Sequence, residues 1–366
     1  IMNKKEIIIF MPTINGGGVE KNFFLISNYL STKFNKISVI SLSKDCKKKL
    51  KPTIKFISID NSLMNHLGRR MKFIVCLLLL IKKILLNKNV TVFCFQGLAY
   101  CTVLCKIFST KIVIRSNSSP SGWSQNILKK ILYRIVYSMA DKIIVNSIDF
   151  QKELKKKFNL NSQCIYNPLN KKEIIKNSKK KIKVKFFKKN DVKIISVARF
   201  SDQKDHFSLI KSINLLKKKY KNIKVLLIGS GEKKQDIKNL IDQLKLNKYF
   251  KVLDFKKNPY PYIKKSDIFI LSTKFEGLPN VLLEAITLNK LVISSNCPTG
   301  PSEILDNGNG GLLFKVKDHK QLSQKIIFAI ENRKKCSKKI LFAKKRLRRF
   351  DLSKNLNKYF IVLNNV

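Results

Sequence analysis

The chain has 366 residues, with 75 Lys and Arg against 23 Asp and Glu, a formal charge of +52 and 44% hydrophobic residues. That apolar content can build real cores and excludes wholesale disorder, and the length fits two domains of roughly 100–200 residues each. Eight cysteines without a C-x-x-C pair exclude a disulfide framework or zinc ribbon and predict a reduced, cytoplasmic setting.

The chain opens IMNKKEIIIFMP, an apolar run too short for a secretory signal. Short apolar runs then alternate with longer amphipathic segments. They predict strands at 6–11, 36–42, 54–59, 91–95, 111–115, 142–146 and 163–166, and helices at 20–31, 71–86, 125–140 and 150–157. Cys101 and Cys105 fall in an apolar run and read as buried thiols. The pattern restarts with strands at 192–198, 224–228, 251–254, 268–272, 292–295 and 311–314. Helices at 206–220, 232–244, 281–287 and 319–332 lie among them. Such alternation predicts an α/β protein with two Rossmann-like doubly wound domains facing a cleft. Proline at Tyr166-Asn167-Pro168 ends the first domain, 1–168. A solvated connector, 169–190, follows with ten lysines and little periodicity, then a second domain at 191–349 and a terminal helix at 350–366.

Residues 73–86 read FIVCLLLLIKKILL after Arg69, Arg70 and Lys72. Fourteen residues interrupted by Lys82 and Lys83 cannot span a bilayer core that needs about 20. The segment is either a packed helix of the first domain or a basic amphipathic helix on anionic lipid. The two can coexist if one face packs while the lysines reach headgroups. Only nine of the 75 basic residues are Arg. Lysine is a solvated point charge, whereas the bidentate forks of nucleic-acid readers need arginine. The charge therefore reads as the footprint of another anionic partner or as the product of A+T-rich coding.

Three segments carry chemistry. After the first strand, Gly16, Gly17 and Gly18 precede a helix, letting backbone approach a ligand at a helix N-terminus. The spacing is not G-x-G-x-x-G and no acidic residue ends the second strand, which disfavours a dinucleotide; a tight turn without a ligand is the alternative. The second domain begins SVARFSDQKDH, where Arg199 and Lys204 form a natural diphosphate clamp at the carboxyl edge of the sheet. The strongest signal is FEGLPNVLLEA. Glu276 heads a Gly-Pro loop, Glu284 lies about one turn inside the next helix, and exposed N–H groups of the loop Gly277-Leu278-Pro279-Asn280-Val281 would face an anion or sugar hydroxyl. A carboxylate at each end suits a polyhydroxylated ligand. The plainer alternative is a loop charge at Glu276 and a helix-surface charge at Glu284.

This E-x7-E spacing, with Arg199, Lys204 and the glycine loop, resembles the retaining glycosyltransferases of family 4, which have the GT-B fold, over nearly the whole chain. The segment from Cys297 to Leu305, CPTGPSEIL, resembles one common in the subgroup that builds bacterial polysaccharides such as lipopolysaccharide or capsule and lipid-linked oligosaccharides. The resemblance implies that Glu276 contacts the donor sugar and that Glu284 binds the ribose hydroxyls. It implies that Arg199 and Lys204 hold the diphosphate and stabilise the departing UDP. Gly16 and Gly17 would lie against donor phosphate or sugar, Gly229 and Gly231 would line the nucleotide side, and the terminal helix would cross back onto the first domain. Many relatives have a histidine where this chain reads IRSNSSP at 114–120. His66, His206 and His319 do not match that place, so Asn117 would contact the sugar and Arg115 the acceptor phosphate.

The implied enzyme is a metal-independent, cofactor-free hexosyl- or N-acetylhexosaminyltransferase. It would move sugar from a UDP-sugar to a lipid-linked or other envelope glycan, with retention by front-face displacement. It would sit peripherally on the anionic cytoplasmic face of the inner membrane, with no nucleic acid as partner. Two alternatives stand beside it. A UDP-sugar epimerase of the same fold would act without an acceptor. A basic nucleic-acid-binding protein would need aromatics interleaved with Arg, which the sequence does not clearly offer.

Overall fold

The computed structural model describes residues 3–14, 17–59, 68–117 and 126–366. The chain forms two compact units, Ile1–Pro168 with Leu352–Val366, and Leu169–Asp351.

The first unit is a parallel sheet of seven strands: β1 (Asn3–Phe10), β2 (Phe34–Ile40), β3 (Lys55–Ile57), β4 (Val90–Cys94), β5 (Lys111–Arg115), β6 (Lys142–Val145) and β7 (Gln163–Cys164). Their spatial order is β3-β2-β1-β4-β5-β6-β7, so the winding reverses between β1 and β4. The helices are α1 (Gly18–Leu30), α2 (Lys44–Lys47), α3 (Arg69–Leu86), α4 (Leu98–Ile107), α5 (Ile127–Ser138) and α6 (Ile148–Phe158), with α15 (Leu352–Asn364) from the C-terminus. Side chains alternate across a strand, and here both faces are covered. Ile8, Val92 and Ile114 pack with Cys76 and Leu80 of α3 and with Cys101 and Cys105 of α4. Ile7, Phe93 and Val113 pack with Phe23 and Ile26 of α1 and with Tyr359 of α15. Cys101 and Cys105 are fully buried, and burial holds both thiols well above the usual thiol range.

The second unit has six parallel strands: β8 (Val192–Val197), β9 (Ile223–Ile228), β10 (Phe250–Leu253), β11 (Ile268–Leu271), β12 (Leu291–Ser295) and β13 (Leu312–Phe314). Their order is β10-β9-β8-β11-β12-β13, with the reversal between β8 and β11. Its helices are α7 (Lys171–Ser178), α8 (His206–Leu216), α9 (Lys234–Gln243), α10 (Tyr260–Lys264), α11 (Asn280–Thr287), α12 (Pro301–Ile304), α13 (His319–Glu331) and α14 (Arg333–Arg346). Its core joins Ile194, Val225 and Ile270 of the sheet to Leu209 and Ile213 of α8 and to Leu322 and Ile326 of α13.

All thirteen predicted strands are present, with ends shifted by at most three residues. The lysine-rich stretch after Pro168 differs from the expected solvated connector. Its first part is α7, capped by the Asn170 side chain, which accepts from the Glu173 N–H, and it buries Ile174 to 4% exposure. A single apolar stripe suffices to dock a helix whose other positions are mostly polar.

Candidate functional site

The switch point of an open α/β sheet leaves a crevice at the carboxyl ends of the strands, where successive loops diverge. In the second unit the loops after β8, β9, β11 and β12 meet there. The β8 loop runs from Arg199 through a 3₁₀ turn, Asp202–Lys204, into α8. Gln203 fastens it to the β11 loop, since its Nε2 donates to the Phe275 carbonyl at 2.7 Å and its own carbonyl accepts from the Lys274 N–H at 2.8 Å. Ser272 Oγ donates to the Asp205 carbonyl at 2.8 Å. Asp205 caps α8 from a left-handed conformation (φ +42°), its side chain accepting from Ser208. Burial raises the Asp205 carboxyl above its ordinary pKa.

These ties bring Lys204 and Glu276 together. Lys204 Nζ pairs with Glu276 Oε1, and the two side chains are only 18% and 10% exposed. Partial burial raises the Coulomb attraction within such a pair over one on the surface, against the cost of desolvating both charges. Glu284, expected either as a ribose ligand or as a helix-surface charge, is 5% exposed, and its Oε1 accepts from Tyr260 Oη at 3.2 Å. The surface alternative is therefore excluded. Arg199, expected beside Lys204, is exposed, and the structure does not draw it into the Lys204–Glu276 pair.

The Glu276 loop differs from the expected exposed N–H array. Gly277, Leu278 and Pro279 are buried, while Asn280 and Val281 are partly exposed at the first turn of α11. Pro279 occupies the cap position, and no side chain caps this helix. The β12 loop covers the outer side. A Cβ on Gly300 (φ +90°) would lie 2.4 Å from the Gly277 carbonyl, and Thr299 Oγ1 donates to the Glu276 carbonyl. The CPTGPSEIL segment therefore supports the Glu276 loop from behind. Cys297 is 2% exposed, and burial first, then the nearby Glu276 charge, pushes its thiol up to about 12. On the other side, a Cβ on Gly229 would meet the Ala198 carbonyl at 2.0 Å, so only glycine fits against the end of β8. Gly231 lies beside Phe200, whose carbonyl accepts from Lys233 N–H at 2.9 Å. Tyr260, Gln203 and Thr299 escaped the sequence reading. Each acts through hydrogen bonds that include a side-chain bond to a partner between 23 and 72 residues away, and no local pattern marks such bonds.

In the first unit, Thr13 and Gln96 lock the loops after β1 and β4: Gln96 Nε2 donates to the Thr13 carbonyl at 3.0 Å and Gln96 Oε1 accepts from Thr13 N–H at 3.2 Å. Gly17 is exposed at the start of α1, whereas Gly16 lies outside the described residues, as do His66 and the stretch 118–125. The acceptor-phosphate role expected of Arg115 is corrected. Arg115 is 0% exposed; it donates from Nε to Tyr359 Oη at 2.8 Å, from NH2 to Asn167 Oδ1 at 2.7 Å and from NH1 to Asn117 Oδ1. The Phe95 and Tyr359 rings pack against the guanidinium at 5.6 and 5.9 Å. Its donors are directed inward, away from any solvent-borne phosphate. Asn117, expected to reach the sugar, is half-buried and engaged with Arg115 and the Phe95 carbonyl.

Two doubly wound parallel sheets are the architecture of the GT-B fold, and here the second carries a carboxylate–lysine pair at its switch point. The model of the glycosyl transferases group 1 family matches residues 177–346. The chain is 32% identical over 216 residues to an uncharacterized glycosyltransferase of Methanocaldococcus jannaschii, a match covering 56% of this chain and 53% of that protein. The chain thus spans about half the length of that relative. A Campylobacter jejuni protein is 26% identical over 372 residues, with 98% of this chain and 100% of that protein covered. That protein is named N-acetylgalactosamine-N,N'-diacetylbacillosaminyl-diphospho-undecaprenol 4-alpha-N-acetylgalactosaminyltransferase. The crystal structure of Anabaena HepE in complex with UDP superposes with a TM-score of 0.77 at 16% identity, covering 99% of this chain and all of that one, which shows the shared fold.

Proposed function

We propose that the chain is a retaining glycosyltransferase that moves a hexose or N-acetylhexosamine from a UDP-sugar to a lipid-linked glycan of the bacterial cell envelope. The observation that carries this reading is the part-buried Lys204–Glu276 pair at the β8/β11 switch point, with buried Glu284 one helical turn into α11. Lys204 and Arg199 would hold the donor diphosphate and stabilise charge on the leaving UDP. The uncapped N-terminus of α11 would add its backbone dipole. Glu276 would accept hydroxyls of the donor sugar, and Glu284, oriented by Tyr260, those of the ribose. The β9 loop at Gly229 and Gly231 would line the nucleotide, and Gly17 the donor phosphate.

Retention rests on the family resemblance and implies attack from the face that UDP leaves, through an oxocarbenium-like state. Cationic side chains would take the place of a divalent metal, so chelator should leave the rate unchanged. The lipid-linked acceptor is supported by the acceptor in the Campylobacter relative's name, and UDP by the HepE complex. Such an acceptor would bring the chain to an anionic membrane face.

The test is a panel of radiolabelled nucleotide sugars incubated with lipid extract and enzyme. Transfer from a UDP-sugar is expected, with Glu276→Ala and Arg199→Ala each slowing it by about 100-fold, the scale of one lost transition-state contact. Wild-type rates in both variants would refute the site. Release or conversion of sugar without acceptor would favour the epimerase.

A further inference from the structure

One face of the first unit is apolar where it meets solvent. On α5, Ile127, Leu128, Ile131, Leu132 and Ile135 are 51–72% exposed, and their i, i+1, i+4, i+5, i+8 spacing sets them along one side of the helix. Tyr100 and Ile107 of α4 are 69% and 72% exposed, and Leu78 of α3 is 60% exposed. Between the three helices lies a groove of about 390 Å³, lined among others by Leu77 and Ile81 of α3, Val103 and Leu104 of α4, and Leu132 and Val136 of α5. Continuous exposed apolar surface of this kind marks an interaction site.

The charges around it select the partner. Lys129 and Arg134 on α5, and Arg69, Arg70 and Lys82 on α3, are exposed. From residue 61 to residue 140 the chain carries twelve Lys and Arg and no Asp or Glu. A second copy on this face would set these cations against one another. An anionic phospholipid leaflet supplies both a hydrocarbon layer for the isoleucines and leucines and phosphates for the cations. Among the described residues no helix is long and apolar enough to cross a membrane, and the face suits attachment at the surface.

We infer that α3, α4 and α5 together form the membrane-docking face of the protein. Exposed α5 side chains enter the boundary between headgroups and acyl chains, and an acyl chain occupies the groove. The inference deepens the membrane reading under Proposed function and rests on it for the class of partner. The face itself stands on residues of the first unit, none of which belongs to the donor site in the second.

Flotation of the full chain with phosphatidylcholine vesicles, with and without phosphatidylglycerol, tests it. Wild-type protein should float roughly tenfold better with the anionic lipid, because several cations act together. The variant Leu128→Gln/Ile131→Gln/Ile135→Gln should lose about tenfold in flotation through lost apolar insertion. It should keep its melting temperature, its UDP affinity and its transfer to a short-chain acceptor in detergent. Unchanged flotation of this variant would overturn the docking face while leaving membrane attachment standing. Failure of the wild type to float would overturn both. Equal flotation on neutral and anionic vesicles would remove the headgroup part, and a wild-type dimer that the variant dissolves, without vesicle binding, would replace the inference with self-association. Loss of transfer with flotation intact would count against the reaction alone.

Discussion

His206 begins α8 with 1% of its surface exposed, and neither ring nitrogen has a hydrogen-bond partner among the described residues. Its ring meets Phe200 edge-on at 5.1 Å. Burial first, and then the Lys204 charge, lowers its pKa from 6.5 to about 3. Between these values the unfolded chain binds a proton that the folded chain does not, so stability rises with pH across this window. The contribution is full above pH 6.5 and falls by about 1.4 kcal/mol per unit as pH drops toward 3. His206→Phe, which keeps the ring and removes the two nitrogens, should flatten this part of the profile and leave stability at neutral pH equal or higher. Urea midpoints of the two proteins from pH 7 to pH 4 check it, and parallel profiles would contradict it. Arg115 is the opposite case, a buried cation whose hydrogen bonds are made. Arg115→Met would strand Tyr359 Oη and the Asn167 and Asn117 carbonyl oxygens, and should cost about 3 kcal/mol in urea unfolding. Arg115→Lys should recover only part of this, because one ammonium cannot reproduce the planar fork.

Elements differ in how openly the sequence declares them. The thirteen strands were legible because buried parallel strands are short apolar runs bounded by Gly, Pro, Asn or Asp, and this chain punctuates them clearly. Helix α4 escaped because LAYCTVLCKI has polar residues only at Thr102 and Lys106, too few to display a 3.6-residue period. The α7 and α14 helices escaped for the reverse reason: charged residues, many of them lysine, take most of their exposed positions and leave a thin apolar stripe. In the site, Glu276, Glu284 and Lys204 were legible from type and spacing. The burial of Glu284 and the inward turn of Arg115 were not, since both depend on Tyr260 and Tyr359, which the fold brings from elsewhere. The β12 loop shows how an element can matter through backbone alone. Gly300→Ala would place a methyl group 2.4 Å from the Gly277 carbonyl at a positive φ, at a cost of about 1–3 kcal/mol. The loop carrying Glu276 would shift, so transfer should fall more than UDP affinity, measured by turnover beside a UDP titration. Unchanged turnover would show that this loop does not hold Glu276 in place.

At the scale of the molecule, each unit has its own core, but the first is completed only by the end of the chain. Leu356, Tyr359, Val362 and Leu363 of α15 are 0–6% exposed within the core that also holds Phe23, Ile26 and Phe93. Lys5 Nζ donates to the Leu363 carbonyl at 3.0 Å, and Tyr29 Oη to Asn357 Oδ1 at 3.2 Å. The second unit, Leu169–Asp351, needs no such loan: its sheet and helices share one cluster drawn from its own residues, and Leu169 pairs with Asp351 where the segment begins and ends. Removal of residues 352–366 should therefore destabilise the first unit alone. Each of the four side chains buries apolar surface worth about 1.5–3 kcal/mol, so their joint loss approaches the whole stability of a typical domain. Residues 169–351 expressed alone should fold cooperatively and bind UDP, because the Lys204–Glu276 pair, Glu284, Tyr260 and the supporting loops all lie within them. Calorimetry of the truncated chain should show one transition at its former temperature and loss of the other. Isothermal titration of residues 169–351 should give UDP affinity near that of the full chain. Loss of both transitions on truncation, or a 169–351 fragment without a melting transition, would mean that the two cores depend on each other. The +52 charge bears on the same experiment: lysines on both units repel, so added salt should raise both transitions while leaving their separation nearly unchanged.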